Sequence, residues 1–191
     1  MSTNVADQDL FQVVLDDDEQ VVKVLRPHKG RAWFGQVIAM VLWGIMLLPV
    51  GIVCVVFHNA IDGDEDMLGM GIFILALWAL ISLIMLIFIA LWCNKTVYAW
   101  TNKRVLIRTG FIGVDYKSLD LNMVGALSVN VSFADKIVHK NTGTIAFGSM
   151  ASPMTNQNVS KFNFVFVHDP YQVYKEVKAY IDQKKNQTAA K

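Results

Sequence analysis

Two uncharged apolar runs, Trp33 to Phe57 and Met67 to Cys93, limit what this chain can fold into more than any other feature. At 25 and 27 residues they would reach roughly 37 and 40 Å as helices, beyond a hydrocarbon core of about 30 Å. No Asp, Glu, Lys, Arg or His interrupts either run, whereas a core helix of a soluble domain needs a polar face. Both therefore read as membrane spans. The second holds fifteen Leu, Ile and Phe residues, so its insertion is favoured by several kcal/mol, on the order of −0.3 to −0.6 kcal/mol for each. The first carries Gly44, Pro49 and Gly51, which membrane helices tolerate, and a kink is expected near Pro49. Gly44 and Gly51 share one face, and the second run offers Ala76, Ala79 and Ser82. These small residues either pack the hairpin closely or face lipid.

The flanks of the hairpin set its orientation. Lys23, Arg26, Lys29 and Arg31 precede it and Lys95, Lys103, Arg104 and Arg108 follow it, while the connecting segment 58–66 has no Lys or Arg. The positive-inside bias places both termini in the cytoplasm, with the short acidic loop outside an inner or plasma membrane. Trp33 and Trp92 fall at the cytoplasmic interface, where amphipathic rings anchor well. Trp43 and Trp78 fall near mid-depth, and their indole N–H groups need partners or simply fill space. Cys54 and Cys93 lie at opposite ends of different spans, so no disulfide between them is expected.

Outside the hairpin the chain divides by composition. Residues 1–19 hold Asp7, Asp9, Asp16, Asp17, Asp18 and Glu19 with a few apolar residues among them, Leu10, Phe11 and Val13 to Leu15. They read as a flexible acidic arm. Residues 20–32 open with Val21, Val22, Val24 and Leu25 ahead of Arg26-Pro27, which reads as a strand. A lone strand would leave its backbone unpaired, and the one sheet available lies beyond the hairpin. The hairpin, residues 33–93, is thus expected as an insertion between the first strand and the rest of one β domain, residues 94–185.

After Cys93 the pattern turns to the alternation of sheets with one covered face. Thr96–Thr101 and Arg104–Thr109 read as strands joined by a tight turn at Asn102-Lys103, helped by the tolerance of Asn for left-handed backbone. Gly110 and Gly113 bracket another turn. Val114–Met123 follows as a strand, and then Leu127, Val129, Val131 and Phe133 alternate with Ser128, Asn130 and Ser132. Asp135–Lys140 reads as a shorter strand or turn, Thr144–Phe147 as a strand and Met150–Ser160 as a polar loop. Lys161–Val167 is a further strand with Phe162, Phe164 and Phe166 on one side. Asp169, Pro170 and Gln172 then fit a cap, first position and capping box, and Val173, Tyr174, Val177, Tyr180 and Ile181 form the apolar stripe of a closing helix. Residues 186–191 read as a disordered tail.

About seven antiparallel strands closed by one C-terminal helix resemble the pleckstrin-homology-like fold. The run Tyr98-Ala-Trp-Thr-Asn-Lys-Arg-Val-Leu-Ile-Arg-Thr-Gly110 resembles the opening signature of bacterial PH-like membrane proteins. Supporting matches are Glu19 with Arg26-Pro27-His28, Asn141-Thr-Gly-Thr-Ile145, and His168-Asp-Pro-Tyr-Gln-Val-Tyr174. The resemblance implies an α+β membrane protein: a transmembrane helical hairpin plus a cytoplasmic PH-like β-sandwich or barrel with a C-terminal α-helix. It implies no established catalytic activity.

The residues themselves point away from chemistry. No Ser, Cys or Thr sits in a nucleophile elbow, and no phosphate-binding glycine loop appears. His28, His58, His139 and His168 are scattered without metal-ligand spacing. His168 beside Asp169 is either a dyad or a polar neighbour of the helix cap. The acidic loop Asp62, Asp64, Glu65, Asp66 lacks the form of a calcium loop and reads as a solvated turn. From Asn94 onward there are thirteen Lys or Arg against six Asp or Glu, a balance suited to an anionic leaflet or to dispersed solubility. Lys103, Arg104 and Arg108 are the candidate headgroup or partner contacts. The expectation is a non-enzymatic scaffold without cofactor, metal or nucleic acid, which sits in the bilayer and recruits a protein or self-assembles through the PH-like domain. The alternatives are a module sensing anionic lipid headgroups and an accessory subunit of a transporter or channel, for which the spans offer only Gln36 and Ser82 as polar groups.

Overall fold

The β-branched segment ahead of Arg26-Pro27 forms a strand, and its partner lies on the far side of both apolar runs. The computed structural model describes residues 5–57, 65–110, 113–137, 141–149 and 162–189. In chain order these form α1 (Val5–Asp9), β1 (Val21–Leu25), α2 (Lys29–Phe57), α3 (Glu65–Lys95), β2 (Val97–Thr101), β3 (Arg104–Thr109), β4 (Asp115–Asp120), a 3-10 turn at Leu121–Met123, β5 (Val124–Asn130), α4 (Phe133–Ile137), β6 (Thr142–Ser149), β7 (Phe162–His168) and α5 (Pro170–Ala189). The chain separates into two compact units, Met1–Ala32 with Trp92–Lys191, and Trp33–Leu91.

The second unit holds α2 from Trp33 onward and α3 as far as Leu91, both helices being long and apolar enough to cross a membrane, while the first turn of α2 and the last of α3 belong to the first unit. Their most apolar stretches are only 17% and 6% buried, which distinguishes them from the core helices of a soluble protein. α2 continues through Pro49. The helices approach closely at two glycines. A methyl group on Gly51 would lie 2.8 Å from Leu75, and one on Gly71 would lie 2.8 Å from Val55 and 2.9 Å from Cys54. Of the small residues picked out by spacing, Gly51 serves this contact and Ser82 is buried, while Ala76 and Ala79 are exposed. Gly71 takes the place expected for those alanines, because only hydrogen leaves room for the facing side chains.

The first unit is built on two antiparallel sheets, ordered β1-β2-β3-β4 and β5-β6-β7. β1 pairs with β2, with Val24 opposite Ala99 and Leu25 opposite Tyr98. The inner face of the four-stranded sheet supplies Tyr98, Trp100, Val105, Ile107 and Leu119 to the main core. The three-stranded sheet adds Val124, Ile145, Phe147, Phe164 and Val167, and α5 adds Val173, Val177 and Ile181 from its stripe. Phe164 stacks on Tyr98 at 4.8 Å between ring centres and meets Phe147 edge-on at 4.7 Å. Burial pushes the Tyr98 phenol well above its usual pKa.

Several local expectations need correction. The four-stranded sheet is covered on both faces, since Val97, Ala99 and Leu106 on its outer face are fully buried under Phe11. The acidic arm is therefore not a flexible one over residues 5–19. It folds as α1 and a run of turns whose apolar side chains have a place to go. The strand expected to reach Phe133 ends at Asn130, and Phe133 is exposed at the start of α4. The cause is Asp135, whose carboxylate accepts from the backbone N–H and hydroxyl of Ser132 at 2.9 and 2.6 Å and so closes a helical turn. β4 likewise stops at Asp120, which accepts from the N–H of Asn122 and starts the 3-10 turn. In β7, Phe166 does not share a side with Phe164, because it adopts a left-handed φ of 56° beside a register shift. Val167 takes the core position instead, and Phe166 turns to Trp92, 6.1 Å away edge-on. Finally, α5 runs to Ala189 rather than ending before a disordered tail, with Lys185 donating to the Val124 carbonyl. The polar loop 150–160 lies outside the described residues.

One buried ion pair joins the first turn of α2 to α4 and β6. Arg31 donates to Asp135 at 2.5 Å and to the Ser132 hydroxyl at 3.2 Å, and Thr142 also donates to Asp135. The guanidinium lies 5.0 Å from the centre of the Phe166 ring. Burial raises the Asp135 carboxyl, but its hydrogen bonds from Ser132, Arg31 and Thr142 outweigh that and hold it below the usual range. Asp135→Ala strands the Arg31 charge and should cost about 3–5 kcal/mol, whereas Arg31→Met with Asp135→Leu should cost much less; thermal unfolding in detergent micelles, followed by near-UV circular dichroism, compares the two. In the other unit, Gly71→Leu should overpack the hairpin and cost about 1–3 kcal/mol, measured as earlier unfolding of α2 and α3 in SDS titrations.

Candidate functional site

The basic residues singled out by sequence lie at the β2–β3 turn and along β3, and their surroundings decide what they can bind. The two-residue turn at Asn102-Lys103 forms without left-handed backbone. It is held instead by Thr101, whose hydroxyl accepts from the backbone N–H groups of Lys103 and Arg104 at 3.1 and 3.0 Å. Asn102 ties the turn to the chain ahead of β1, accepting from Gln20 N–H and donating to the Asp18 carbonyl. Along β3, Arg104, Leu106 and Arg108 share the outer face of the sheet.

That face is already occupied by the arm. Phe11 is fully buried against Val97, Ala99 and Leu106, and it meets Tyr116 edge-on at 6.3 Å. The Tyr116 hydroxyl donates to the Leu10 carbonyl at 2.8 Å. Leu10, Leu15, Val21 and Val24 complete this second, smaller core. Around it the charges pair. Asp7 takes two hydrogen bonds from Arg26, at 2.6 and 2.8 Å. Lys103 reaches Asp18 at 2.5 Å and Asp16 at 3.5 Å. Arg104 grips Glu19 at 2.7 to 3.1 Å and donates to the Val14 carbonyl at 2.8 Å.

Glu19 is the deepest of these groups, with its side chain fully shielded from solvent. Burial alone would raise its pKa. The hydrogen bonds from Arg104, from the Thr101 hydroxyl and from the Asp16 N–H outweigh that and leave the carboxyl below its usual range. Asp7 is lowered chiefly by its hydrogen bond from Arg26, and Asp18 chiefly by that from Lys103. In turn Arg26, Lys103 and Arg104 are raised, each first by the hydrogen bond to its acidic partner.

The structure thus brings Lys103 and Arg104 together with residues of the arm. Arg108 does not join them: its Nε is buried without a hydrogen-bond partner. Trp92 is half-buried against Phe166, and Trp33 lies in α2 with 36% of its surface exposed. His28 and His168, unrelated by spacing, stand 6.2 Å apart between ring centres, with His168 3.2 Å from Asp169. His58, His139, Asp62 and Asp64 lie outside the described residues. Among the described residues no three His, Cys, Asp or Glu side chains group as metal ligands. Sequence reasoning missed Phe11, Thr101, Glu19 and Tyr116 as parts of this site. A signal was present in β2, where Val97-Tyr-Ala-Trp100 is apolar without alternation, as befits a strand buried on both sides.

A family model described as a bacterial PH domain matches residues 30–181. The arm and β1 precede the matched stretch. No curated protein and no solved structure matches the chain.

The pairing of arm and sheet makes a pH prediction. A carboxyl whose pKa is lowered in the folded state contributes stability above its unfolded value and loses it as the pH falls through the folded one. For Glu19 and Asp7, with ordinary values of 4.5 and 3.8, the arm should stay seated at neutral pH and loosen only on acidification below these values. Hydrogen exchange at residues 5–19 between pH 7 and pH 3, corrected for intrinsic rates, reads this out; protection that persists unchanged to the acid limit contradicts it.

Proposed function

Because the chain belongs to the bacterial PH domain family, we propose that it is a membrane-anchored scaffold whose PH-like domain recruits a protein partner at the cytoplasmic face. The carrying observation is the combination of two exposed helices of spanning length, uncharged over 33–57 and 67–93, with a β domain that closes its own basic turn. α2 and α3 cross the bilayer as a hairpin in this reading, and the Lys and Arg residues on both flanks keep the two termini inside. An isolated apolar pair of helices is poorly suited to transport, since its apolar runs offer Gln36 near one end and Ser82 near mid-depth as polar groups. Among the described residues no three His, Cys, Asp or Glu side chains group as metal ligands, and a scaffold role needs none.

Sensing of anionic headgroups through Lys103 and Arg104 is the weaker alternative, because Asp16, Asp18 and Glu19 already neutralise those cations. An incoming phosphate would have to displace a buried carboxylate from Arg104 with no apolar group to replace Phe11, whereas a protein partner can supply carboxylates and apolar side chains of its own and spread over the domain surface. The domain keeps exposed side chains such as Lys117 and Tyr171 on that surface.

Site-specific photocrosslinking of the full chain in cells separates these readings. Photoreactive residues at positions 117 and 171 should yield discrete protein adducts, and residues at 72 and 83 in the spans should yield lipid. Adducts confined to the spans, with none from the domain, would remove the recruiting role.

A further inference from the structure

The arm meets the four-stranded sheet as a ligand meets a receptor. It adds no strand to the sheet. It lies over the face as a short helix and turns, with one aromatic anchor in an apolar hollow and acidic side chains on a basic rim. Phe11 and its neighbours, in the turns that follow α1, thus fill an apolar hollow of their own chain as a bound peptide would. The hollow is Val97, Ala99, Leu106 and Tyr116, and the anchor is Phe11. The rim is Arg26, Lys103 and Arg104, answered by Asp7, Asp18 and Glu19. On the side away from the sheet Val13 stays 87% exposed, so the arm is bound along one side only.

From this geometry we propose that the outer face of the sheet is a docking surface for an acidic, phenylalanine-bearing, turn-forming segment of a partner protein, and that residues 5–19 hold it in cis as a pseudo-ligand. The inference rests on the recruiting role proposed above and names the partner's chemistry. Charge decides for this class of partner. The segment 5–19 carries six acidic residues and no Lys or Arg, against three cations on the rim, so a neutral or basic peptide would leave Arg104 facing an empty, partly desolvated pocket. Shape supports it too, because release of the arm, with Leu10, Phe11 and Leu15, would uncover apolar surface at Val97, Ala99 and Leu106 of the kind that marks interaction sites. With the arm in cis, the partner's apparent association constant is the intrinsic one multiplied by the fraction of time the face is free. Recruitment is thereby gated by the chain itself.

The test uses the full chain in detergent micelles. Phe11→Asp releases the arm, and Phe11→Ala with Glu19→Gln serves as a second release variant should the first fail to accumulate. The probe is a fluorescent synthetic peptide of residues 5–19, with a scrambled peptide of the same composition as control. Fluorescence anisotropy should show saturable binding to the released variant, weakened at least about tenfold on the wild-type chain, where the arm competes. Adding Arg104→Glu to the released variant, or scrambling the peptide, should abolish binding, and raising the salt should weaken it. Absence of saturable binding to a released variant with native near-UV circular dichroism overturns the proposal, as does equal binding to wild type and variant. Binding of anionic vesicles in place of the peptide overturns it in favour of lipid. Domain adducts in the crosslinking experiment that are identical for wild type and Phe11→Asp would also overturn this surface while leaving the recruiting role intact.

Discussion

A β-strand must place its backbone N–H and C=O groups on partners, and β1 does so only across the entire apolar hairpin. Val21–Leu25 is followed by two long helices before its neighbour Val97–Thr101 appears. That single pairing makes one folded unit from two distant pieces of chain. The contacts nearby reinforce it: Gln20 donates to Asn102, 82 positions away, and Lys23 pairs with Glu176 of α5. The bulge between Val21 and Lys23 lets β1 serve both cores, with Leu25 packed toward the main one and Val21 and Val24 toward the arm.

Once β1 is fixed, the arm ahead of it is delivered to the outer face of the sheet. Its six carboxylates would repel one another in isolation, and its few apolar residues could not form a core alone. Against Arg26, Lys103 and Arg104 the same charges become favourable, and Phe11 finds a dry hollow. The exposed Lys103 pairs contribute little by themselves in water, whereas the shielded Glu19 to Arg104 contact is costly to break from one side. Basic residues that look available for an external anion are thus satisfied by the chain's own acidic segment.

How much of this was legible depended on whether the signal was local. Pro170 at the first helical position and the stripe Val173, Val177, Ile181 placed α5, although Asp169 precedes it with a left-handed φ of 48° in place of the expected cap, and the alternation from Leu127 placed β5. The stop of β5 before Phe133 was harder to see, because it depends on Asp135 closing a turn on Ser132 and being matched by Arg31 from before the hairpin. Phe166 was misplaced for a similar reason: a residue with φ of 56° breaks the two-residue period on which the reading of a strand depends. Lys103 and Arg104 were found as a basic pair, but their partners were not, since nothing in the spacing of Asp16, Asp18 and Glu19 says where they land.

By itself the sequence determined the two long apolar helices, the β domain with its closing helix, and the need of β1 for a partner beyond the hairpin. Length, absence of charge, side-chain period and backbone hydrogen bonding are properties that each segment carries alone. Only the tertiary structure decided that the acidic arm is folded, that it covers the second face of the sheet, and that Glu19 occupies Arg104. Those facts arise from complementarity between segments more than eighty residues apart, where burial turns a repelling cluster of carboxylates into the counterpart of a basic rim.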